Sequence, residues 1–246
     1  MGEGGTLLVA VVCEAEADQR TACVLADRIA CEKIDWLEPE HLDSLRRWCG
    51  LTATTEFLPW KSVRREADQW GVVAHGHFGG EPGAPDARAA RLALLVVGKA
   101  VPGLAAVLLI RDSDGDRNRL TGLKQARDAA PWPFAVLIGV AHTKRECWLL
   151  AAFCPRDDEE KARHVKVRQE LGFDPCLRSH ELDAWLAPAK KSAKRVAGIL
   201  CPVGGERGLN GTALDVLKKR GAENGLADYL AELESRYVPP FRAARE

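Results

Sequence analysis

The chain has 246 residues, of which 46% are apolar and 28% charged, ordinary globular proportions that exclude a disordered or fibrous chain. Lys+Arg and Asp+Glu each number 35. This balance excludes a globally basic protein that coats nucleic acid but permits a local basic groove.

Residues Met1–Gly5 carry no basic n-region, and the apolar run that follows is too short for an export signal. No apolar stretch approaches the roughly 18–20 residues needed to span a bilayer. The expectation is a soluble cytoplasmic protein with no membrane contact. Charge is uneven. Residues 1–60 hold 5 basic and 11 acidic side chains, whereas residues 156–246 hold 17 and 15, so basic contact surfaces are expected outside the first third. None of the eight cysteines forms a C-x-x-C pair and no short-spaced Cys/His cluster points to zinc. They read as reduced thiols packed as small hydrophobes.

Thr6–Cys13 is a continuous apolar run and reads as a buried strand. Glu16–Ile34 has helical period, with Ala22, Leu25, Ala26 and Ile29 on one face. Trp36–Trp48 reads as a short amphipathic helix starting after Pro39. Arg64–Trp70 carries no decisive period. His75–Pro85 is rich in glycine and proline and reads as a loop; the His75-Gly76-His77 pair within it is a weak ligand signal. Asp86 is expected to cap a helix over Ala87–Ala100. Leu104–Ile110 is a second apolar strand running into Arg111–Asp116, followed by a helix over Leu120–Ala129. Phe134–Val140 is a third strand, and Lys144–Phe153 a helix. Short apolar strands alternating with helices predict an α/β fold with a parallel sheet covered on both faces. Beyond Pro155 the segments Asp157–Leu171, Glu181–Leu186, Lys190–Leu200, Ala213–Lys219 and Leu226–Tyr237 all read as helices. The expected organisation is a catalytic α/β domain over 1–155 and a helical subdomain over 156–246.

Acidic residues recur where strands end. Glu14 follows the first strand, Asp112 and Asp114 the second, and Glu146 opens the helix after the third. Ligands of open parallel sheets bind beyond the carboxyl ends of the strands. Carboxylates gathered there repel unless a cation neutralises them, and hard oxygen donors suit Mg²⁺ or Mn²⁺. Each acid also has a plainer reading, Glu14 and Glu146 as favourable charges at helix N-termini and Asp112–Asp116 as a solvated turn. The D-x-D-x-D start is not a calcium-binding EF loop, because glycine is fourth (Gly115) and position twelve is Leu123. No phosphate-binding P-loop is present around Gly98-Lys99.

The segment Val11-Val12-Cys13-Glu14-Ala15-Glu16-Ala17-Asp18 resembles the first motif of the TOPRIM (topoisomerase–primase) domain, an apolar strand ending in Glu with a second acid four residues on. Ile110-Arg111-Asp112-Ser113-Asp114 resembles its Asp-x-Asp motif. Arg145-Glu146-Cys147-Trp148-Leu149-Leu150-Ala151 is similar to a segment of stand-alone TOPRIM-like proteins related to OLD-family nucleases. The resemblance covers roughly residues 6–155 and departs from the family where glycine is replaced by Ala15. It implies a Rossmann-like TOPRIM core and a metal-dependent nuclease, with Mg²⁺ or Mn²⁺ on Asp112 and Asp114 and further contributions from Glu14, Asp18 and Glu146. Glu14 would be general acid/base or ligand of a second metal. The resemblance also implies a role in bacterial anti-phage defence.

Lys144 is a candidate for stabilising phosphate charge beside Glu146. Basic residues Lys190, Lys191, Lys194 and Arg195 are candidates for contacting the backbone of DNA or RNA, against the plainer reading of a solvated helix face. Two further readings stand beside the nuclease: an effector held silent by a sensor protein such as an ATPase, and a non-catalytic binding module that keeps the fold.

Overall fold

The computed structural model describes residues 6–52, 54–74, 81–202 and 205–243. The expected loop His75–Pro85 lies largely outside them, as do both of its histidines.

The three apolar runs form neighbouring strands of a five-stranded parallel sheet, as expected. They are β1 (Leu7–Cys13), β4 (Leu104–Asp112) and β5 (Ala135–Ala141). Strand order is β2-β1-β4-β5, with β2 (Arg46–Cys49) and the two-residue β3 (Leu58–Pro59) both on the outer side of β1. The β1–β4 register pairs Val12 with Leu109. Val9–Cys13 and Ala106–Ile110 are buried on both faces, which is why these strands read as unbroken apolar runs rather than alternating ones.

Between β1 and β2 run α1 (Glu16–Lys33) and α2 (Leu42–Leu45). The expected helix Trp36–Trp48 is therefore only half right: a 3-10 turn at Pro39–His41 and α2 give way to β2. Pairing decides the outcome. Leu7–Ala10 take Arg46–Cys49 as parallel partners. The Arg46 guanidinium is fixed by a two-pronged bond to Asp27, at 2.8 and 2.6 Å, and stacks over Trp48. Tertiary pairing overrides a weak helical period here.

The segment Arg64–Trp70 holds α3 (Val63–Gln69), and α4 covers Ala84–Ala100. Asp86 is not the cap. Pro85 is tolerated in the first helical turn, so α4 starts earlier, after Gly83 at φ +81°, and Asp86 pairs instead with Arg111. Helix α5 (Asn118–Asp128) packs closely on α4. A Cβ on Gly122 would collide with the Gly83 carbonyl oxygen and lie 2.9 Å from Ala87 N. Because these obstacles are largely backbone, Gly122→Ala is expected to destabilise by about 1–3 kcal/mol. Urea denaturation checks this, and an unchanged midpoint would remove the close approach as the reason for glycine.

After β5 come α6 (Glu146–Ala152), α7 (Asp158–Leu171), α8 (Ala193–Leu200), α9 (Glu206–Gly211), α10 (Leu214–Arg220), α11 (Leu226–Glu232) and α12 (Val238–Ala243), with a π-helical turn at Leu233–Tyr237. The Asp157 side chain caps α7 by accepting from Glu160 N at 2.7 Å. The expected helix Glu181–Leu186 does not form. Its place is taken by a 3-10 turn at Ser179–Glu181 and an isolated antiparallel bridge between Asp183 and Ser192. Leu182 is buried and its carbonyl accepts from Thr143 Oγ1 at 2.8 Å, which ties this stretch down in an extended path.

The described residues form two compact units, one from within 1–111, 117–139 and 231–246, the other from within 112–116 and 140–230. The expected boundary after Pro155 falls within the second unit. Its core joins α6, α7 and α8 through Cys147, Leu150, Val167, Leu171, Val196 and Leu200. Among the described residues no helix is long and apolar enough to cross a membrane.

Candidate acidic site at the strand ends

In the first unit, Glu14 directly follows β1. Its Oε1 lies 3.9 Å from Arg111 Nε and 3.9 Å from Arg119 Nη1. Arg111 is fixed from two sides, by a carboxylate and by a tryptophan that is itself held. Its Nη1 pairs with Asp86 at 2.9 Å, its guanidinium stacks 5.2 Å from the Trp60 ring, and Trp60 Nε1 donates to the Ile110 carbonyl at 2.8 Å. Glu14 therefore sits among held positive charges. Asp18 stands in the first turn of α1, where its Oδ2 accepts from Ala15 N at 2.9 Å. Ala15 has φ −150° and ψ 165°, an extended backbone that alanine adopts without strain.

In the second unit, the turn leaving β4 is clamped by backbone and side-chain bonds. Ser113 N donates to Ala141 O at 2.8 Å and Asp114 N to Thr143 O at 3.0 Å. Buried Ser113 places Oγ 2.7 Å from His142 Nδ1 and accepts from Gly115 N. Asp114 takes φ +48°, a left-handed conformation that Asp tolerates better than most residues. Onto this turn fold the residues between β5 and α6. Lys144 Nζ lies 2.5 Å from Asp114 Oδ1, and Arg145 N donates to Asp112 Oδ1 at 2.7 Å. Glu146 begins α6 beside the Arg145 guanidinium, at 3.4 Å. Partial burial works against the Lys144 charge, but the Asp114 carboxylate, helped by Asp112 and Glu146, outweighs it and raises the ammonium above its ordinary pKa of 10.5. Lys144 is thus charged at neutral pH. The structure brings Asp112, Asp114, Lys144 and Glu146 together within one unit, whereas Glu14 and Asp18 belong to the other.

Lys190, Lys191 and Lys194 are exposed on α8 and the turn before it. Arg195 is engaged by Glu170 at 2.8 Å, and Lys191 stands over the Phe173 ring. The bend ahead of them carries Trp185, over whose ring Lys144 Nζ lies at 5.2 Å. Trp185 is 75% exposed and Leu186 67%. Sequence reasoning missed Trp185, Ser113, His142, Arg111 and Arg119. The sequence signals were faint: a tryptophan among polar and small residues, and arginines flanking an acidic turn.

A separate cavity of about 190 Å³ lies among Arg156, Glu160, Arg163, Cys201, Arg207 and Thr212. Arg207 and the Arg156 backbone N–H hold the Glu160 carboxyl below its ordinary range, so that acid already answers part of the cavity's positive charge.

All eight cysteines are free thiols, five of them buried, in line with the sequence reading. Burial pushes Cys147 and Cys201 each up to about 11. Cys176 stands with His164 and Asp174 in a cluster of residue types that bind metals: His164 Nε2 is 3.0 Å from Asp174 Oδ1 and 3.6 Å from Cys176 Sγ.

No protein-family model, curated protein or solved structure matches the chain.

Proposed function

We propose that the chain is a divalent-metal-dependent phosphodiesterase of the TOPRIM-like kind that cleaves nucleic acid. The observation that carries this reading is the convergence of Asp112, Asp114, Lys144 and Glu146 where β4 and β5 end. The donor set fits Mg²⁺ or Mn²⁺, since Asp112 and Asp114 offer hard oxygens from one clamped turn. A cation bound there would supply Lewis acidity and an acidified water. The chain's own residues do the rest. Lys144, charged and tethered to Asp114, meets phosphate oxygens. Glu146 accepts or donates a proton. Glu14 with Arg111 and Arg119 forms a separate charged group within the first unit. Exposed Trp185 beside Lys144 offers a stacking face for an unpaired base, which favours single-stranded DNA or RNA, and the exposed lysines before α8 extend a backbone contact. The resemblance adds an expectation of anti-phage defence.

The test on Glu146 separates catalysis from helix electrostatics. A carboxylate in the first turn of α6 stabilises by roughly 0.3–1 kcal/mol through the helix dipole alone, and losing that leaves the rate within a factor of about ten. Loss of a positioned acid/base group costs about a hundredfold or more. Glu146→Gln is therefore expected to lower single-turnover cleavage of a labelled single strand about a hundredfold, with unchanged binding. Near-normal turnover at saturating metal would take Glu146 out of the site.

A partner-regulated module is the second reading. Its support is the exposed Trp185–Leu186 pair, whose tryptophan ring lies against Lys144 Nζ: a sensor protein covering that apolar surface would shift Lys144 and alter the acidic turn. Cleavage by the isolated chain argues against it.

A further inference from the structure

Three potential metal donors converge in the second unit, away from the acidic turn. His164 lies on α7. Asp174 and Cys176 lie on the loop that leaves α7 through Gly172, whose φ of +81° reverses the chain. The three ligand atoms lie within 4.8 Å of one another.

Two readings of this cluster differ in geometry. A Cys–His–Asp hydrogen-bond relay needs both imidazole nitrogens, one for the thiol and one for the carboxylate. Here both groups approach the same nitrogen, Nε2. One nitrogen holds one proton at most, so it cannot serve both partners with a full hydrogen bond. Coordination asks for just this convergence. Zn²⁺ distances of about 2.3 Å to sulfur, about 2.05 Å to nitrogen and about 2.0 Å to oxygen give tetrahedral edges of about 3.6 Å for S···N and about 3.3 Å for N···O. The corresponding distances are 3.6 and 3.0 Å.

We propose that His164 Nε2, Asp174 Oδ1 and Cys176 Sγ form a three-ligand site for a borderline transition-metal cation, Zn²⁺ foremost. Thiolate and imidazole donors select against Mg²⁺ and Mn²⁺, so this centre is chemically distinct from the acidic turn. The Cys176 thiol is buried, whereas His164 and Asp174 keep 18% and 19% of their side chains exposed. The fourth position therefore faces the accessible side, open to water or an exogenous ligand. The surroundings suit a rigid site. Cys176 N donates to Asp174 Oδ1 at 2.9 Å, which orients the carboxylate, and the Phe153 ring meets the imidazole edge-on. A cation there would clip the loop after α7 to the helix and to the core that Cys176 joins.

The test uses the whole chain, stripped of metal by chelation and titrated with Co²⁺. The expected result is one equivalent bound, with a thiolate-to-cobalt charge-transfer band and the visible absorption of a tetrahedral centre, both displaced by Zn²⁺. Loss of a supporting partner alone costs a metal site about 10–100-fold in affinity, so Cys176→Ser is expected to abolish the charge-transfer band and weaken Zn²⁺ binding by at least about 100-fold. Asp174→Asn, which keeps size and the bond from Cys176 N, is expected to weaken binding while the band persists. Absence of the band in folded wild-type protein, or its survival in Cys176→Ser, overturns the proposal. The second outcome would place the thiolate at another cysteine.

Discussion

Asp112→Asn is expected to lower metal-dependent cleavage about a thousandfold or more while leaving the fold nearly as stable as before. A metal that stabilises transition-state charge contributes several kcal/mol, and about 4 kcal/mol corresponds to three powers of ten in rate. The substitution keeps size and an acceptor oxygen, so the bond from Arg145 N to Oδ1 survives. Only the negative charge is lost. The structure changes what is expected of stability. From sequence alone, clustered carboxylates should repel in the absence of metal, and removing one should relieve the protein. In the folded chain Asp114 is already paired with Lys144 and Asp112 with a backbone N–H, so most of that repulsion is answered. A melting temperature within a few degrees of wild type, measured beside the cleavage rate, is the expected pair of results. A large fall in melting temperature with proportionate loss of activity would mark Asp112 as a structural brace.

Trp148→Ala is expected to cost about 3–5 kcal/mol of folding stability, the range for emptying a buried aromatic site. Trp148 is 1% exposed on α6, its ring stacks on Tyr229 with centroids 5.2 Å apart, and its Nε1 donates to the Asn224 carbonyl at 2.9 Å. That carbonyl also accepts from His142 N, while the Asn224 side chain bonds Cys147 O, Ser179 Oγ and Leu226 N. One tryptophan thus ties α6 to a buried polar knot that also holds the approach to Lys144. Trp148→Phe separates packing from the hydrogen bond: it keeps most of the ring and should cost about 1–2 kcal/mol, the net value of the lost bond with some lost area. Equilibrium denaturation of both variants checks the ordering. Equal, small losses would mean that α6 is held elsewhere.

The sheet was legible because its central strands are buried on both faces and so appear as unbroken apolar runs. The positions of Asp112 and Asp114 were legible for the same reason, since they stand at and just past the end of the β4 run, whereas Glu146 was legible as the first residue of the helix that follows β5. Strand β2 was not, because Arg46-Arg47-Trp48-Cys49 has no apolar run and owes its conformation to β1 and to the Asp27 pair. The start of α4 was missed because Asp86 looked like a cap while its charge is used by Arg111, 25 positions away. The same limit hid the environment of Glu14, since Arg111 and Arg119 reach it only through the fold. The cluster of His164, Asp174 and Cys176 escaped a search for Cys/His spacings because one donor is a carboxylate and a glycine turn brings the three together.

The most direct measurement is cleavage of a labelled single strand by the purified chain as Mn²⁺ is titrated against chelator, with Asp112→Asn and Asp114→Asn run beside it. The expected result is cleavage that rises with free Mn²⁺, is supported by Mg²⁺, disappears with chelator and is lost in both variants although they bind the strand normally. Folded wild-type chain that leaves single-stranded DNA, single-stranded RNA and duplex DNA intact at saturating Mn²⁺ would contradict the assignment, as would cleavage that survives the loss of both carboxylates.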